Sequence, residues 1–376
     1  MVAKLGLVEC MAAVEDPRVD RTKAHELVDI LVLSVLAVLC GADGWEDIEL
    51  FGKIRLQWLR KFIKLRNGVP SHDTISRVFR VIKPNAFHDA FLAWVKGLGL
   101  SSEGLNVIAI DGKSLRRSHD KKHGKSMLHS VAAWSTANRL VLGVQSVDQK
   151  SNEITAIPEL LKNLELKGAI ITTDAMGSQK EIAAQIAEGG GDYVLAIKDN
   201  HPTLARAMGD YFDEVHEEGV IENEVRQHQT VDEKHGRSEK RIYFHAAIPD
   251  SMKELTAEWP KAKSIGQVHN ITIRNGKETA EIRYFLSSLP VGVKRFGEAT
   301  RSHWGIENSL HWVLDVTFNE DQSRIRKGSS PDNFALLRRF AINILSLDTS
   351  KESIRKKRKR AAWDENYLLN CLAKSI

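Results

Sequence analysis

The sequence predicts an α/β protein with a mixed five-stranded sheet, an all-α region before the sheet and a β-rich insertion within it. Three observations support this class. The first hundred residues show helical apolar spacing, apolar strands alternate with helices from residue 105 onward, and residues 219–290 consist mostly of strand-like stretches. The chain has 376 residues, of which 42% are hydrophobic, so it can form more than one domain with a sizeable core.

The N-terminal region, residues 1–100, is predicted to be helical and free of membrane spans. Its most apolar run, Leu27–Cys40, is shorter than the ~20 residues that cross a bilayer and contains Asp29 and Ser34. A buried helix is therefore expected. The basic start and cleavage site of a signal peptide are missing, and the three cysteines are far apart without metal-ligand spacing. These features favour a reducing, cytoplasmic location.

A basic stretch and a short helix in this region predict contact with nucleic acid. Lys53–Arg66 holds six basic residues, two aromatic residues and no acidic residue. Ser71 is a natural N-cap for a short amphipathic helix that exposes Arg77 and Arg80. This outline indicates a helix-turn-helix near residues 55–82, with both arginines on DNA phosphates. The alternative is a plain helical bundle with a solvated basic face.

The central region predicts five strands in the order three strands, helix, strand, helix, strand. The first three are joined by short turns, which suits an antiparallel meander, whereas the later helical crossovers require parallel pairing. This is the order of a ribonuclease-H-like fold. The predicted domains are residues 1–100 (helical, DNA-binding), 101–200 (first part of the core), 201–290 (β-rich insertion), 291–350 (C-terminal helices of the core) and 351–376 (a basic tail containing six consecutive cations, Arg355–Arg360).

The stretch NVIAIDGKSLRRS, Asn106–Ser118, superficially matches a phosphate-binding loop through its Gly-Lys-Ser. Such a loop requires a second glycine five positions before Gly112, and that position holds Val107. The phosphate-loop interpretation therefore fails. The stretch is better interpreted as an apolar strand that delivers Asp111 to a site, with Gly112 allowing close approach of a metal.

Three carboxylates stand where an α/β protein would place a metal site. Asp111 and Asp174 each follow an apolar strand, and ligands bind at that edge of parallel strands. Glu307 lies on a predicted helix after the insertion, with His303 and His311 at four-residue spacing on the same face. Such carboxylates suit two divalent cations acting on a phosphodiester, and the oxygen ligands favour Mg²⁺ or Mn²⁺. The alternative for the helix is a hydrogen-bonded packing interface.

Basic residues near these carboxylates are candidate contacts for substrate phosphates, because Lys and Arg neutralise phosphate charge. The candidates are Lys113, Arg116, Arg117 and Lys198.

Five motifs resemble those of the H-repeat-associated transposases of bacterial insertion sequences. They are IAIDGKSLRRS, AIITTDAMGSQKEIA, GDYVLAIKDNHPTL, HGRSEKR and RSHWGIENSLHWVLDVTFNEDQSRIR. The resemblance spans nearly the whole chain, and the first, second and last motifs are long enough to be highly specific. The family belongs to the DDE group, which implies a ribonuclease-H-like core with a β insertion before the glutamate.

The resemblance also implies a site and an activity. Asp111, Asp174 and Glu307 would form the metal-binding triad, separated by 63 and 133 positions, and the second interval includes the insertion. The implied reaction is metal-dependent cleavage at element ends and strand transfer into target DNA. The implied protein is a homodimer that acts in the bacterial cytoplasm, at the nucleoid.

The chain departs from the Tyr-Arg-Glu-Lys signature of hairpin-forming relatives, which places Arg four before and Lys seven after the glutamate. Here these positions hold His303 and Leu314. Arg301 and His311 are the candidate substitutes as DNA contacts, and the route of second-strand cleavage stays open. Two other functions also stay open: a catalytically inactive DNA-binding remnant of an element, and a nuclease with the same fold.

Overall fold

The protein consists of a helical N-terminal region packed onto a core built around one nine-stranded sheet. The computed structural model describes residues 6–100, 104–119, 126–147, 152–218, 225–234 and 237–374. None of the helices in these ranges combines the length and apolar character that a membrane span requires.

The N-terminal helices surround α2, in which every residue except Val28 is buried. The predicted buried helix is therefore confirmed. Asp29 lies inside this apolar helix because its carboxylate accepts hydrogen bonds from the backbone N–H groups of Lys64 (3.1 Å) and Leu65 (2.7 Å). The six helices are α1 (Leu7–Ala12), α2 (Leu27–Leu39), α3 (Trp45–Ile54), α4 (Leu56–Leu59), α5 (His72–Val81) and α6 (Pro84–Gly97).

The predicted short helix after Ser71 is present as α5, but its surroundings differ from a helix-turn-helix. Ser71 caps α5 by accepting a hydrogen bond from the backbone of Thr74, as its position suggests. Residues 60–71 separate α4 from α5, whereas a helix-turn-helix has a turn of about three or four residues. Arg77 and Arg80 are exposed, as predicted. The structure thus supports a helical bundle with exposed arginines.

The sheet has the strand order β3-β2-β1-β4-β5-β9-β8-β7-β6. Strands β1, β4 and β5 are parallel to one another, and all other pairs are antiparallel. The first five strands therefore form the predicted mixed sheet. The strands are β1 (Val107–Ser114), β2 (His129–Ser135), β3 (Leu140–Val147), β4 (Ile170–Thr173), β5 (Asp192–Ile197), β6 (Val225–Lys234), β7 (Arg237–Ala247), β8 (Ser264–Arg274) and β9 (Lys277–Ser287).

The β-rich insertion continues the core sheet. Its last strand, β9, pairs antiparallel with β5, so four insertion strands extend the five core strands edge to edge. Asn275 and Gly276 connect β8 to β9 with φ of 52° and 74°, which is the positive-φ pair of a type I′ hairpin turn. The helices between strands are α7 (Glu153–Leu161), α8 (Lys180–Glu188), α9 (Pro202–Glu218) and α10 (Lys253–Thr256).

Strand β1 runs past Asp111, where the sequence predicted its end. It continues to Ser114 because β2 still pairs with it, with Lys113 opposite Ser130 and Ser114 opposite His129. Its parallel neighbour β4 ends opposite Ile110. Asp111 therefore lies one residue beyond the last parallel pair, at the edge where β4 stops.

The C-terminal helices connect the two parts of the molecule. In α13, 15 residues are buried, because it packs against α2 on one side and β3 on the other. Core residues of α2, α13 and β1–β3 consequently belong to one hydrophobic cluster. The elements are α11 (Val293–Ile306), a π-helical segment (Glu307–His311), α12 (Trp312–Val316), α13 (Ser330–Ser346), α14 (Ile354–Trp363) and α15 (Glu365–Ala373).

Residues 351–374 are folded, where the sequence predicted a charged tail. The run of six cations is helix α14, and its Lys357 and Arg358 are buried. The guanidinium of Arg358 donates to the backbone carbonyls of three residues and to the carboxylate of Asp43, and it stacks 4.4 Å from the ring centroid of Phe318. The three carbonyls belong to Val38, Ala42 and Thr317.

Candidate active site

Asp111, Glu307 and His311 converge beyond the end of β4. His311 Nδ1 lies 3.4 Å from Asp111 Oδ2 and 3.8 Å from Glu307 Oε2. One potential metal-ligand atom from each of the three residues falls within 4.8 Å of the others. The structure thus brings together two of the three predicted carboxylates, although they are 196 positions apart (307 minus 111).

A local change in helix geometry presents Glu307 and His311 to β1. Helix α11 packs against β1 and β4, and His303 fixes it there because its Nδ1 is hydrogen-bonded to Thr172 Oγ1 at 2.9 Å. At Glu307 the α-helix changes to a π-helix that lasts through His311. Single π-helical turns inside α-helices occur frequently at functional sites.

Asp174 follows β4 and lies next to this group. Its Oδ1 accepts a hydrogen bond from the backbone N–H of Gly177 at 3.0 Å. It contributes no atom to the set within 4.8 Å, but it is near enough for its charge to raise the pKa of Asp111. The pairing of β1 with β4 places both aspartates at one edge of the sheet.

The electrostatics of the site favour one proton on the paired carboxylates in the absence of cations. Burial is the largest of the causes that raise the pKa of Asp111 to about 8, and the neighbouring Glu307 and Asp174 also contribute to this rise. The imidazole of His311, 3.8 Å from Glu307 Oε2, is the main cause that lowers the pKa of Glu307 to about 2. Burial is also the main cause that raises the pKa of Asp174. A divalent cation bound here would replace that proton, because carboxylate ligands bind metal in their deprotonated form.

The raised pKa of Asp111 predicts a pH-dependent stability of the metal-free protein. The unfolded carboxyl loses its proton near pH ~4, whereas the folded one keeps it until about pH 8. Between these values the folded state binds more protons, so the free energy of unfolding falls as the pH rises. Thermal unfolding in EDTA from pH 5 to pH 8.5 should show this decline, and Asp111→Asn should make it shallower. Equal pH dependence in both proteins would contradict the assignment.

Lys113 is not free to contact phosphate, in contrast to the prediction. It shares a face of β1 with Asp111, since side chains two positions apart on a strand point the same way. Its ammonium group lies 2.6 Å from Asp315 Oδ1 and 3.6 Å from Asp321 Oδ1, and only 9% of its side chain is exposed. Lys113 therefore ties β1 to the segment that follows Glu307.

His311 also differs from its predicted role as a DNA contact. Only 7% of the residue is exposed, and its Nδ1 faces Asp111 and Glu307. Its Nε2 is buried and has no hydrogen-bond partner among the described residues. His311 therefore contacts the carboxylates of Asp111 and Glu307.

The remaining predicted DNA contacts are accessible. Arg116 and Arg117 are exposed, as is Lys198, and Arg116 Nε lies 3.2 Å from Asp321 Oδ2. Arg301 is 43% exposed at its side chain and lies 3.8 Å from Asp232. Lys198 and Arg301 both line a cavity of about 430 Å³ that also reaches Asp174.

The structure adds basic residues that sequence reasoning missed. The loop after the π-helical segment carries Arg326, whose Nε donates to the backbone carbonyl of Arg117 at 2.9 Å. The next residues reach α5, because the backbone N–H of Ser329 donates to the carbonyl of Arg80 at 3.2 Å. Arg326 and Lys327 thus connect the arginines of α5 to those after β1. The run SRIRK in the last motif was the available signal.

Glu153 is a fourth carboxylate that the sequence did not reveal. It is the first residue of α7, and its Oε1 lies 2.8 Å from His129 Nε2. A Cβ atom at Gly112 would lie 2.0 Å from the same oxygen. The space beside Gly112, which the sequence predicts to be open for a metal, is therefore occupied by the Glu153 carboxylate.

The donor set suits a divalent cation. Carboxylate oxygens are the preferred ligands of Mg²⁺ and Mn²⁺, and an imidazole nitrogen is compatible with Mn²⁺. Asp111 and Glu307 provide oxygens within 4.8 Å of each other, and neither of these two carboxylates is paired with a Lys or Arg within the described part of the chain. The residues present thus fit a divalent cation.

Comparisons with known proteins identify relatives along the whole chain. Residues 102–344 match the family described as "Transposase DDE domain", and residues 8–95 match the one described as "DDE_Tnp_1-associated". The chain is 42% identical to "H repeat-associated putative transposase YhhI" of Escherichia coli (strain K12) over 375 residues, which cover 98% of each protein. It is 44% identical to "H repeat-associated putative transposase YbfD" of the same strain over 253 residues, 67% of this chain and 98% of that protein. A shorter relative, "Inactive transposase YbfQ" of that strain, is 46% identical over 72 residues, 19% of this chain and 86% of that protein.

Proposed function

The chain belongs to the transposases with a DDE domain, and from this premise we propose that it cleaves DNA at the ends of an insertion sequence and joins those ends to target DNA. The observation that carries the proposal is the convergence of Asp111 and Glu307, with Asp174 directly after the adjacent strand β4. The proposed cofactor is Mg²⁺, with Mn²⁺ as a substitute, held by these three carboxylates.

Each of these side chains has a role in the proposed cleavage of a phosphodiester. Bound divalent cations would activate the attacking water or 3′-hydroxyl group and stabilise the leaving oxygen. Asp111 and Asp174 are presented by neighbouring strands, so their separation is set by the sheet. Glu307 approaches from the π-helical segment, and His311 orients both Glu307 and Asp111 through its Nδ1.

We propose that DNA reaches the site across a basic surface composed of residues from three segments: Arg77 and Arg80 on α5, Arg116 and Arg117 after β1, and Arg326 and Lys327 after the π-helical segment. The hydrogen bonds between these segments, one from the Arg326 side chain and one between backbone groups, support one continuous phosphate-binding surface. Lys198 and Arg301 would contact DNA on the other side of Asp174. The expected partners are element ends and target DNA at the bacterial nucleoid, bound by a homodimer.

The basic surface predicts a change in the salt dependence of DNA binding. Each phosphate contact contributes about −0.9 to the slope of log K against log salt concentration. Removing Arg77 and Arg80 together by substitution with Ala should therefore make the slope shallower by roughly 2. Fluorescence anisotropy with a labelled duplex at several salt concentrations measures it. Lys162→Ala, an exposed cation at the end of α7, is the control, and an unchanged slope in the double variant would refute the assignment.

The experiment that tests the function uses the purified chain and the DNA that flanks its own coding segment. With Mg²⁺ or Mn²⁺ we expect cleavage at inverted repeats and joining of the cleaved ends to a second duplex, and no reaction in EDTA. Sequence-specific binding without cleavage under either metal would instead favour the inactive remnant. Metal-dependent cleavage without preference for the repeats would favour a nuclease of the same fold.

A further inference from the structure

Glu153 is held against the strand that carries Asp111 by a chain of polar contacts. His129 Nε2 is 2.8 Å from Glu153 Oε1, and His129 Nδ1 is 2.7 Å from Ser114 Oγ. His129 and Ser114 are opposite each other in the β1–β2 ladder. Glu153, at the start of α7, is thus connected through His129 to the last residue of β1.

The carboxylate occupies a defined position beside Gly112. A Cβ atom there would meet Glu153 Oε1 at 2.0 Å and Oε2 at 3.0 Å. Gly112 makes no use of the positive φ values that glycine allows, so the absence of a side chain serves the approach of Glu153. Only 12% of the Glu153 side chain is exposed, and a buried carboxylate is costly unless it is paired or neutralised.

The surroundings of Glu153 compensate its charge only in part. His129 and the N-terminus of α7 favour the carboxylate, whereas Asp174 is near enough for the two charges to oppose each other. His129 contacts Oε1 of Glu153. A cation at Asp174 would remove the repulsion.

We propose that Glu153 is a positioning residue for the metal site: its carboxylate, held by His129 against Gly112, fixes the end of β1 and attracts the cation bound at Asp174. This inference rests on the proposed function, because it requires a divalent cation at Asp111, Asp174 and Glu307. Under this proposal Gly112, Ser114 and His129 hold Glu153 in place beside the strand that carries Asp111. Residues that support metal ligands in this way typically change metal affinity by about 10- to 100-fold.

The test measures metal binding directly, without the reaction. Mn²⁺ is titrated into the purified full chain and its binding is followed by electron paramagnetic resonance. Glu153→Gln keeps the shape and removes the charge, and we expect about 10-fold or more weaker Mn²⁺ binding. Gly112→Ala keeps the charge but displaces the carboxylate, so it should weaken binding in the same direction. Glu159→Gln, an exposed carboxylate on the same helix, should bind Mn²⁺ as the unmodified chain does.

Further measurements separate positioning from a general structural role. The circular dichroism spectrum and DNA affinity of Glu153→Gln should match those of the unmodified chain. Excess Mn²⁺ should restore DNA cleavage to Glu153→Gln, whereas Asp111→Asn should stay inactive. If Glu153→Gln binds Mn²⁺ normally while Asp111→Asn does not, the role of Glu153 is refuted and the proposed function stands. If Mn²⁺ binding to the unmodified chain does not depend on Asp111, the proposed function fails and this inference fails with it.

Discussion

Asp111→Asn, Asp174→Asn and Glu307→Gln are each expected to lower metal-dependent DNA cleavage by about 10³-fold or more. Each substitution keeps the size of the side chain and removes the negative charge that a divalent cation requires. Asp111 and Glu307 lie so close together that neither can replace the other. Gel analysis of single-turnover cleavage of an element end measures the effect.

Two controls make this expectation specific to the site. Glu298→Gln changes an exposed glutamate on α11, the helix that leads to Glu307, and should leave cleavage unchanged. DNA binding by the three active-site variants should persist, because the proposed phosphate contacts lie on other residues. Retained cleavage in any one of the three would remove that residue from the catalytic set.

Arg358→Ala is expected to lower the free energy of unfolding by about 3 kcal/mol. The guanidinium donates to three backbone carbonyls and to Asp43 in a buried position. Its removal takes a donor from each of three carbonyls and removes the cationic partner of Asp43, and a buried acceptor left unsatisfied costs roughly 1–3 kcal/mol. Urea denaturation followed by circular dichroism measures the loss.

The same helix provides the matched control. Arg355 stands one turn earlier on α14 and is exposed, so Arg355→Ala should change stability by no more than about 0.5 kcal/mol. Both substitutions remove one positive charge from the basic run. If the two substitutions destabilise the protein equally, the buried hydrogen bonds of Arg358 do not contribute the predicted stability.

The strands and helices of the core could be predicted because their sequence patterns depend only on residues near one another in the chain. Asp111 lies on β1 and Asp174 directly follows β4. The order of three strands, a helix and a strand predicted a ribonuclease-H-like sheet, in which these two strands are neighbours. The hairpin at Asn275-Gly276 followed from the φ > 0 requirement of a two-residue turn. Glu307 could be proposed from its helical neighbours, but the π-helical turn that directs it toward β1 has no comparable local signal.

Features that depend on distant partners could not be predicted. Nothing near β9 indicates that it will extend the core sheet at β5, since an edge strand can pair with any free edge. Lys113 looked like a free cation because Asp315 is 202 positions away. Glu153 follows an Asn that caps α7, so its position resembled an ordinary acidic helix start.

The shared hydrophobic cluster of α2, α13 and the first three strands has a consequence for how copies of this gene lose function. A copy truncated before residue 330 would lack α13, which packs on α2, and would expose the apolar surface of α2 that α13 covers. Decay by truncation would therefore disturb the N-terminal helices and the core together, whereas point substitution at the carboxylates would leave this packing intact.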